Sequence, residues 1–431
     1  MPHSVNGCRP AGAGPAQVER VVTVDGRDSH TLFRTKLALP TLVLAWLAAV
    51  NGRAPQLSLG PTLPLVTRDL GLPSTLAGLV VGLPLLLMGL LALPGGWLVD
   101  RVGAGRALAV ALAAVAAGGA GRGFATGPEA FVLATAVLGT GIAAMQPALP
   151  ALARAALPHR PALATAVYFN GLILGVFAGA ALVPAFLRLS GAASWRGVYW
   201  IWGAYGLACA LLWWGFSNRS GAGVAPRFNP RPPQLVHAVR ESFRIPGFTA
   251  TALAFGAQSA IFYGFVGWLP TELVRAGWTV AQASAPASLV AVGALVAGFG
   301  TPALVDVAGR RPVFVGAGLA CTLAATGVLA AATSAAWLWA FLAGFGTTVA
   351  FGAALAVPAE VAPSDRVGVV AGSLLTLGYV MSALGPLPMG ALLDLTGSTG
   401  PSWAYMVLVG LLLTAAGSRV PARPARPSGS T

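Results

Sequence analysis

The sequence predicts an all-α membrane protein: twelve transmembrane helices arranged as two six-helix parallel repeats. Three observations lead there. Of 431 residues, 56% are apolar and only 9% charged, whereas a soluble domain carries about 25% charged residues. The apolar residues come in long runs rather than in a stripe of helical period, so the helices are apolar all round and face lipid. Landmark residues in the first half recur in the second at a fixed offset of 206. A β-barrel would need alternating segments of roughly ten residues, which the sequence does not contain.

Taken in order, residues 1–35 are polar, rich in Gly and Pro and without an apolar core, which predicts a disordered tail rather than a cleaved signal. Residues 36–216 form the first six-helix half, with spans expected at 37–66, 76–98, 106–124, 130–153, 163–187 and 196–216. Residues 217–247, with Pro226, Pro230, Pro232 and Pro233, are a cytoplasmic linker. Its end, Leu235 to Phe243, has the pattern of a short basic amphipathic surface helix. Residues 248–419 form the second half, with spans at 248–270, 284–305, 312–332, 336–359, 367–393 and 403–419. Residues 420–431, rich in Pro, Arg and Ser, predict a second disordered tail.

The formal charge of +14 does not mark a nucleic-acid binder, because the arginines lie in the loops. With the N-terminus inside, 20 of the 26 Lys and Arg fall on the cytoplasmic side and five outside (Arg68, Arg122, Arg188, Arg196, Arg275), leaving Arg53. That bias predicts a multi-pass protein of the cytoplasmic membrane with both termini cytoplasmic and anionic lipid as its charged neighbour. The three cysteines form no disulfide or metal pattern, and the four histidines all lie in polar segments. No cofactor and no metal are expected.

The repeat is read from charged turns. Gly95 to Arg106 is a short turn between apolar segments, in which Asp100 can cap the next helix and Gly103 and Gly105 permit the reversal. Its echo runs from Gly300 to Pro312, with Asp306 placed 206 residues after Asp100. Leu63-Pro64 matches Leu269-Pro270, and Arg160 matches Arg366, on the same offset. Two halves in the same orientation place a substrate near the bilayer midplane, between them.

With Gly96-x-x-x-Asp100-Arg101-x-Gly103-x-Gly105-Arg106 and its degenerate copy at 300–311, residues 37–419 resemble the major facilitator superfamily. A narrower resemblance is to its cyanate/nitroimidazole porter branch. It rests on Asn51-Gly52-Arg53-Ala54-Pro55 with Gly60-Pro61-x-Leu63-Pro64, on Gly141-Ile142-Ala143 with Leu149-Pro150, on Gln258 to Pro270, and on Gly385-Pro386 through Asp394-Leu395-Thr396-Gly397. The branch has Asn-Leu-Arg where this chain has Asn51-Gly52-Arg53. The resemblance implies that Asp100, Arg101 and Arg106 hold a cytoplasmic gate against Asp365 and Arg366, with Asp306 and Arg310 as their second-half counterparts. Read as residues alone, the same charges could be topology signals and caps.

Arg53 is the sharpest candidate for the chemistry. It is the one Lys or Arg read as mid-span, where an arginine costs at least about 2.5 kcal/mol on insertion scales and therefore faces a polar cavity or a partner. No Asp or Glu lies mid-span to pair with it. The complement is a small anionic, or flat and strongly polar, solute held by charge-assisted hydrogen bonds. The bland alternative is a snorkelling or structural arginine. The offset places Ser259, next to Gln258, opposite Arg53, with Tyr263 about one turn further on. Asn51, Gln146, Asn170 and Tyr379 are further polar groups in apolar spans, each readable as a solute contact or as a helix–helix hydrogen bond. Gly171, Gly175 and Gly179 read as a close-packing face, and Trp268 as packing or an interface anchor.

Together these features predict a monomeric secondary active or facilitative transporter for a small anionic or polar organic solute. An exporter of hydrophobic compounds is the alternative, and Arg53 argues against it. An enzyme is not expected, because no nucleophile–base or paired-carboxylate set lies within the spans. There is no Gly-x-x-x-x-Gly-Lys loop for direct use of ATP.

Overall fold

The computed structural model describes residues 26–191, 194–220, 235–330, 333–362 and 367–422, and among these it is built of α-helices. The first half comprises α1 (Gly26–Leu57), α2 (Leu59–Leu70), α3 (Ser74–Leu90), α4 (Ala92–Val102), α5 (Ala104–Phe124), α6 (Pro128–Ala156), α7 (Pro161–Ala181), α8 (Val183–Leu189) and α9 (Trp195–Ser220). A short α10 (Leu235–Ser242) precedes the second half: α11 (Phe248–Arg275), α12 (Val280–Ala308), α13 (Arg310–Leu329), α14 (Ala336–Val361), α15 (Val367–Ser382), α16 (Pro386–Thr396) and α17 (Gly400–Gly417). Every expected span has its helix. Among the described residues, nine helical segments are long and apolar enough to cross a membrane, one of them α15 together with α16, and α3 with α4, bent by 60°, makes a tenth.

Four expected spans are not single helices. The first breaks at Ser58 between α1 and α2, the second at Leu91, the fifth at Leu182, and the eleventh between Ser382 and Pro386. At the first break Ser58 Oγ donates back to the Ala54 carbonyl at 2.6 Å, and Thr62 Oγ1 to the Ser58 carbonyl at 2.8 Å. Such back-bonding bends a helix while keeping its polar groups satisfied. At the N-terminal end, helix α1 already begins at Gly26, inside the segment expected to be tail.

The 206-residue offset is also a backbone property. Positive φ occurs at Gly71 and Gly277, at Gly103 and Gly309, and at Gly191 and Gly397, each pair one repeat apart. Gly103 (φ 87°, ψ 145°) and Gly309 (φ 83°, ψ 160°) are the N-caps of α5 and α13. This corrects the expectation for Asp100, which lies within α4 and caps nothing; the glycine that turns the chain is itself the N-cap.

Small residues set the close packing. A Cβ at Gly171, Gly175 or Gly179 of α7 would come within 2.7 Å of the Trp46, Val50 or Ala54 carbonyl of α1, so this face is helix packing, as small-residue stripes in membranes are. Between the halves, on the side of the Gly71–Pro73 turn, α2 meets α11 at Gly60, and α3 meets α16 at Gly78 and Gly390, where added side chains would run into backbone carbonyls.

Candidate solute site between the halves

Arg53 lies in the penultimate turn of α1 and is 8% exposed. Its Nη1 donates to the Tyr263 hydroxyl of α11 at 2.9 Å and to Gln56 Oε1 at 3.3 Å, and approaches Met88 Sδ of α3 at 3.9 Å. Tyr379 of α15 draws close to the same guanidinium. Among the described residues no ion pair involves Arg53. One cation of the first half is thus held by phenol hydroxyls of the second, with no carboxylate to neutralise it.

A cavity of about 120 Å³ opens beside it. Its polar lining is Arg53, Gln258, Ser259, Tyr263, Thr348 and Tyr379, and its apolar walls include Phe169, Phe262 and Phe351. The Gln258 amide donates to Ser259 Oγ at 2.6 Å. The offset therefore does bring Ser259 to the cavity wall with Arg53. A second cavity, of about 330 Å³, shares Phe169, Thr348 and Phe351 with the first and runs along the ends of α12 and α14 to Asp306, Arg310 and Glu360. Together they form a path from the site toward the side of the Gly103 and Gly309 turns.

The remaining candidates lie elsewhere. Asn51 is fully buried, and its amide points at Gly206 of α9, inside the first half. Asn170 is exposed and accepts from Trp46 Nε1 at 3.1 Å, a helix–helix bond rather than a cavity contact. Gln146 is half-buried and lines neither cavity. Trp268 donates to the Pro386 carbonyl at 3.0 Å, tying α11 to the start of α16. Thr348 escaped the sequence reading because a threonine in an apolar span gives no signal of its own; so did Phe169, which resembles any lipid-facing aromatic.

The charged turns are also resolved. Asp100, Arg101 and Arg106 are exposed, and the Arg101 guanidinium lies over the Trp97 ring at 5.2 Å. Asp306 is exposed at the mouth of the second cavity. Arg310 is buried, pairs with Glu360 of the second half at 2.6 Å and reaches the carbonyl of Pro421, in the first residues of the expected tail, at 3.5 Å. Asp365 and Arg366 lie outside the described residues.

Arg122 requires a correction. The charge pattern places it on the outer side with the loop arginines, but it is fully buried in α5. Its Nε donates to Thr135 Oγ1 and its Nη1 to the Pro55 carbonyl, both at 3.0 Å, and its guanidinium stands 5.6 Å from the rings of both Phe131 and Tyr199. Counting charges by distance from a span end could not distinguish it from a residue one turn nearer the water.

A central cavity between two helical bundles, entered from one side and lined by a cation of one bundle and hydroxyls of the other, is the architecture of a membrane solute transporter. The chain belongs to the Major Facilitator Superfamily, whose family model matches residues 42–386. It is 26% identical over 381 residues to the cyanate transport protein CynX of Escherichia coli, covering 86% of this chain and 95% of that one. It is 27% identical over 361 residues to the 2-nitroimidazole transporter of the same organism, covering 82% and 88%. In fold it is similar to the nucleoside transporter NupG (TM-score 0.73, 12% identity, 88% of this chain and 98% of that one). It is also similar to a bacterial homologue of the lysosomal transporter Spinster in an inward-facing, unoccupied conformation (TM-score 0.68, 20% identity, 90% and 96%).

Proposed function

We propose that this chain carries a small anionic, or flat and strongly polar, organic solute across the cytoplasmic membrane by alternating access, with Arg53 as its anchor. The observation that carries the reading is the unpaired cation at the cavity between the halves. Its partners are neutral, with Tyr263 and Gln56 on Nη1 and Tyr379 close to the same guanidinium, and the planar fork matches a carboxylate or similar oxyanion that can replace them. Phe169, Phe262 and Phe351 offer flat faces to a conjugated solute, and Gln258, Ser259 and Thr348 offer hydrogen bonds to its far end. Cyanate is a small linear anion and 2-nitroimidazole a single flat polar ring. Both suit a cavity of about 120 Å³, and both relatives are named for such solutes. Lipophilic cations would be repelled by Arg53.

In this reading, the halves are 36–216 and 248–419, joined by a cytoplasmic linker at 217–247, and the arginine-rich turns lie in the cytoplasm. The path past Asp306 and Glu360 is then the cytoplasmic entrance, and the state is inward-facing. Asp100, Arg101 and Arg106, with Asp365 and Arg366, form a latch that engages when this side closes, and the exposure of Asp100, Arg101 and Arg106 here is that of a released latch. The first cavity holds no carboxylate among the described residues, which favours facilitative transport; Glu360, in the second cavity, is engaged by Arg310.

The test is a thermal-shift titration of the purified protein with cyanate, acetate and benzoate, repeated on Arg53→Ala. Stabilisation of the wild type that disappears in the variant is expected. Equal stabilisation of both proteins would remove Arg53 from the site.

A further inference from the structure

The first four N–H groups of a helix have no intrahelical acceptor and call for a cap. Helix α12 supplies its own: Thr279 accepts from Gln282 N at 3.2 Å and Gln282 Oε1 accepts from Thr279 N at 2.9 Å. Its repeat mate α3 begins from the same backbone geometry, with φ −58° and ψ 150° at Pro73 against −70° and 155° at Thr279. Proline has no side chain that can cap, and α3 makes no cap bond of its own.

The cap comes from the other half. Asp394 Oδ1 accepts from Ser74 N at 2.8 Å, and Oδ2 accepts from Thr75 N at 2.6 Å and from Thr75 Oγ1 at 2.7 Å. Asp394 sits in the last turn of α16, where an acid is unfavourable to its own helix dipole. Its repeat mate in the last turn of α8 is Arg188, the sign such a position favours. The acid therefore costs its own helix something and stabilises only the opposing one. The surrounding contact is tight, since Gly390 and Gly78 let α16 and α3 approach backbone to backbone.

We propose that Asp394 is an outer latch that caps α3 in trans and holds the protein in its present state, closed on the side of the Gly71–Pro73 turn. Opening that side withdraws the carboxylate and leaves the α3 N-terminus with no protein acceptor. Because α12 caps itself and α8 ends in Arg188, the latch exists once, not twice, and biases the two states unequally. The inference concerns conformation alone and stands whether or not Arg53 holds the solute.

The test uses the full chain in lipid nanodiscs, with Cys8, Cys209 and Cys321 replaced by alanine and spin labels at Arg68→Cys and Ser398→Cys, both exposed on this side. Pulsed electron paramagnetic resonance reads the distance between them. The wild type should show mainly the closed distance. Asp394→Ala should raise the ratio of open to closed by at least about tenfold, the factor that one charge-assisted hydrogen bond carries. The latch is also removable from the other half. Ser74→Pro deletes one donated N–H at a position where proline suits a helix, and Thr75→Val deletes the hydroxyl donor. This pair should shift the distribution in the same direction but less far, because Thr75 N still donates to Oδ2, and adding Asp394→Ala to it should bring the distribution to that of Asp394→Ala alone. A wild-type distribution in the Ser74→Pro/Thr75→Val protein overturns the proposal, whatever Asp394→Ala does.

Discussion

Arg53 and Arg122 are both buried, both lack an acid partner among the described residues, and both act on the end of α1, yet their surroundings separate them. Arg53 reaches across to the second half, with Tyr263 at 2.9 Å, and borders a cavity. Arg122 stays within the first half: Nη1 donates to the Pro55 carbonyl and Nε to Thr135, Nη2 is buried without a hydrogen-bond partner among the described residues, and Phe131 and Tyr199 cover its faces. Pro55 is in the last turn of α1, two residues beyond Arg53, where carbonyls lack intrahelical partners. Arg122 therefore props the broken end of the helix from behind while Arg53 projects from its front. Burial and charge alone do not mark a binding residue; what matters is whether the remaining donors face a cavity or a packed bundle.

The comparison is broken most directly at Arg53. Arg53→Gln keeps polarity but removes the charge and the fork. Binding of a cyanate or benzoate probe should weaken by about a hundredfold, the loss of roughly two charge-assisted hydrogen bonds, with little change in the melting temperature of the unliganded protein. Isothermal titration and a thermal melt read the two effects separately. Loss of fold stability without loss of binding would make Arg53 a structural staple like Arg122.

Arg122→Met is the opposite test. It leaves the Pro55 carbonyl and Thr135 without their donor, at a cost of about 1–3 kcal/mol for each buried group left unsatisfied. A lower melting temperature is expected, with a smaller loss of probe affinity as the α1 break shifts. If affinity falls as far as in Arg53→Gln while the melting temperature holds, the second arginine belongs to the site.

The proposed gate gives an intermediate effect. Asp100→Asn should slow probe uptake into proteoliposomes several-fold while leaving equilibrium binding at the cavity intact, since Asp100 is exposed and remote from the lining residues. Unchanged uptake would reduce the charged turn to a topology signal.

The twelve spans were legible because lipid permits only helices of bilayer length, and apolar runs mark them. The repeat was legible because turns need glycines and prolines at fixed places, and Gly103 and Gly309 share one backbone conformation. Arg53, Ser259, Tyr263 and Tyr379 were legible as polar groups without an evident partner, and the offset paired the first two. Asn51 and Asn170 gave the same signal but turn to α9 and to Trp46, since a helix in a bundle has several faces and sequence does not say which one meets the other half. Arg122 was missed for a related reason: at a span end, burial depends on how neighbouring helices overhang it. The trans cap of α3 was invisible because it joins residues 320 positions apart that do not lie on the repeat offset.

The smallest prediction sharpens the comparison at the level of one hydroxyl on each side. Tyr263 donates nothing to Arg53; its oxygen accepts from Nη1 and fixes the guanidinium across the gap between the halves. Tyr199 lies over Arg122, but its hydroxyl is paired with Thr62 Oγ1 at 2.8 Å, just beyond the α1 break. Each Tyr→Phe change removes one buried hydrogen bond, worth about 1 kcal/mol, and leaves the ring in place. Tyr263→Phe should therefore weaken probe binding by about fivefold and leave the melting temperature within a degree or so, because the guanidinium it loosens is already at a cavity. Tyr199→Phe should do the reverse, lowering stability by a similar energy while binding stays near wild type. Combining Tyr263→Phe with Arg53→Gln should add little to Arg53→Gln alone, since both act through one contact. Additive losses would mean that the Tyr263 hydroxyl meets the solute directly and that the site extends further into the second half than Arg53 reaches.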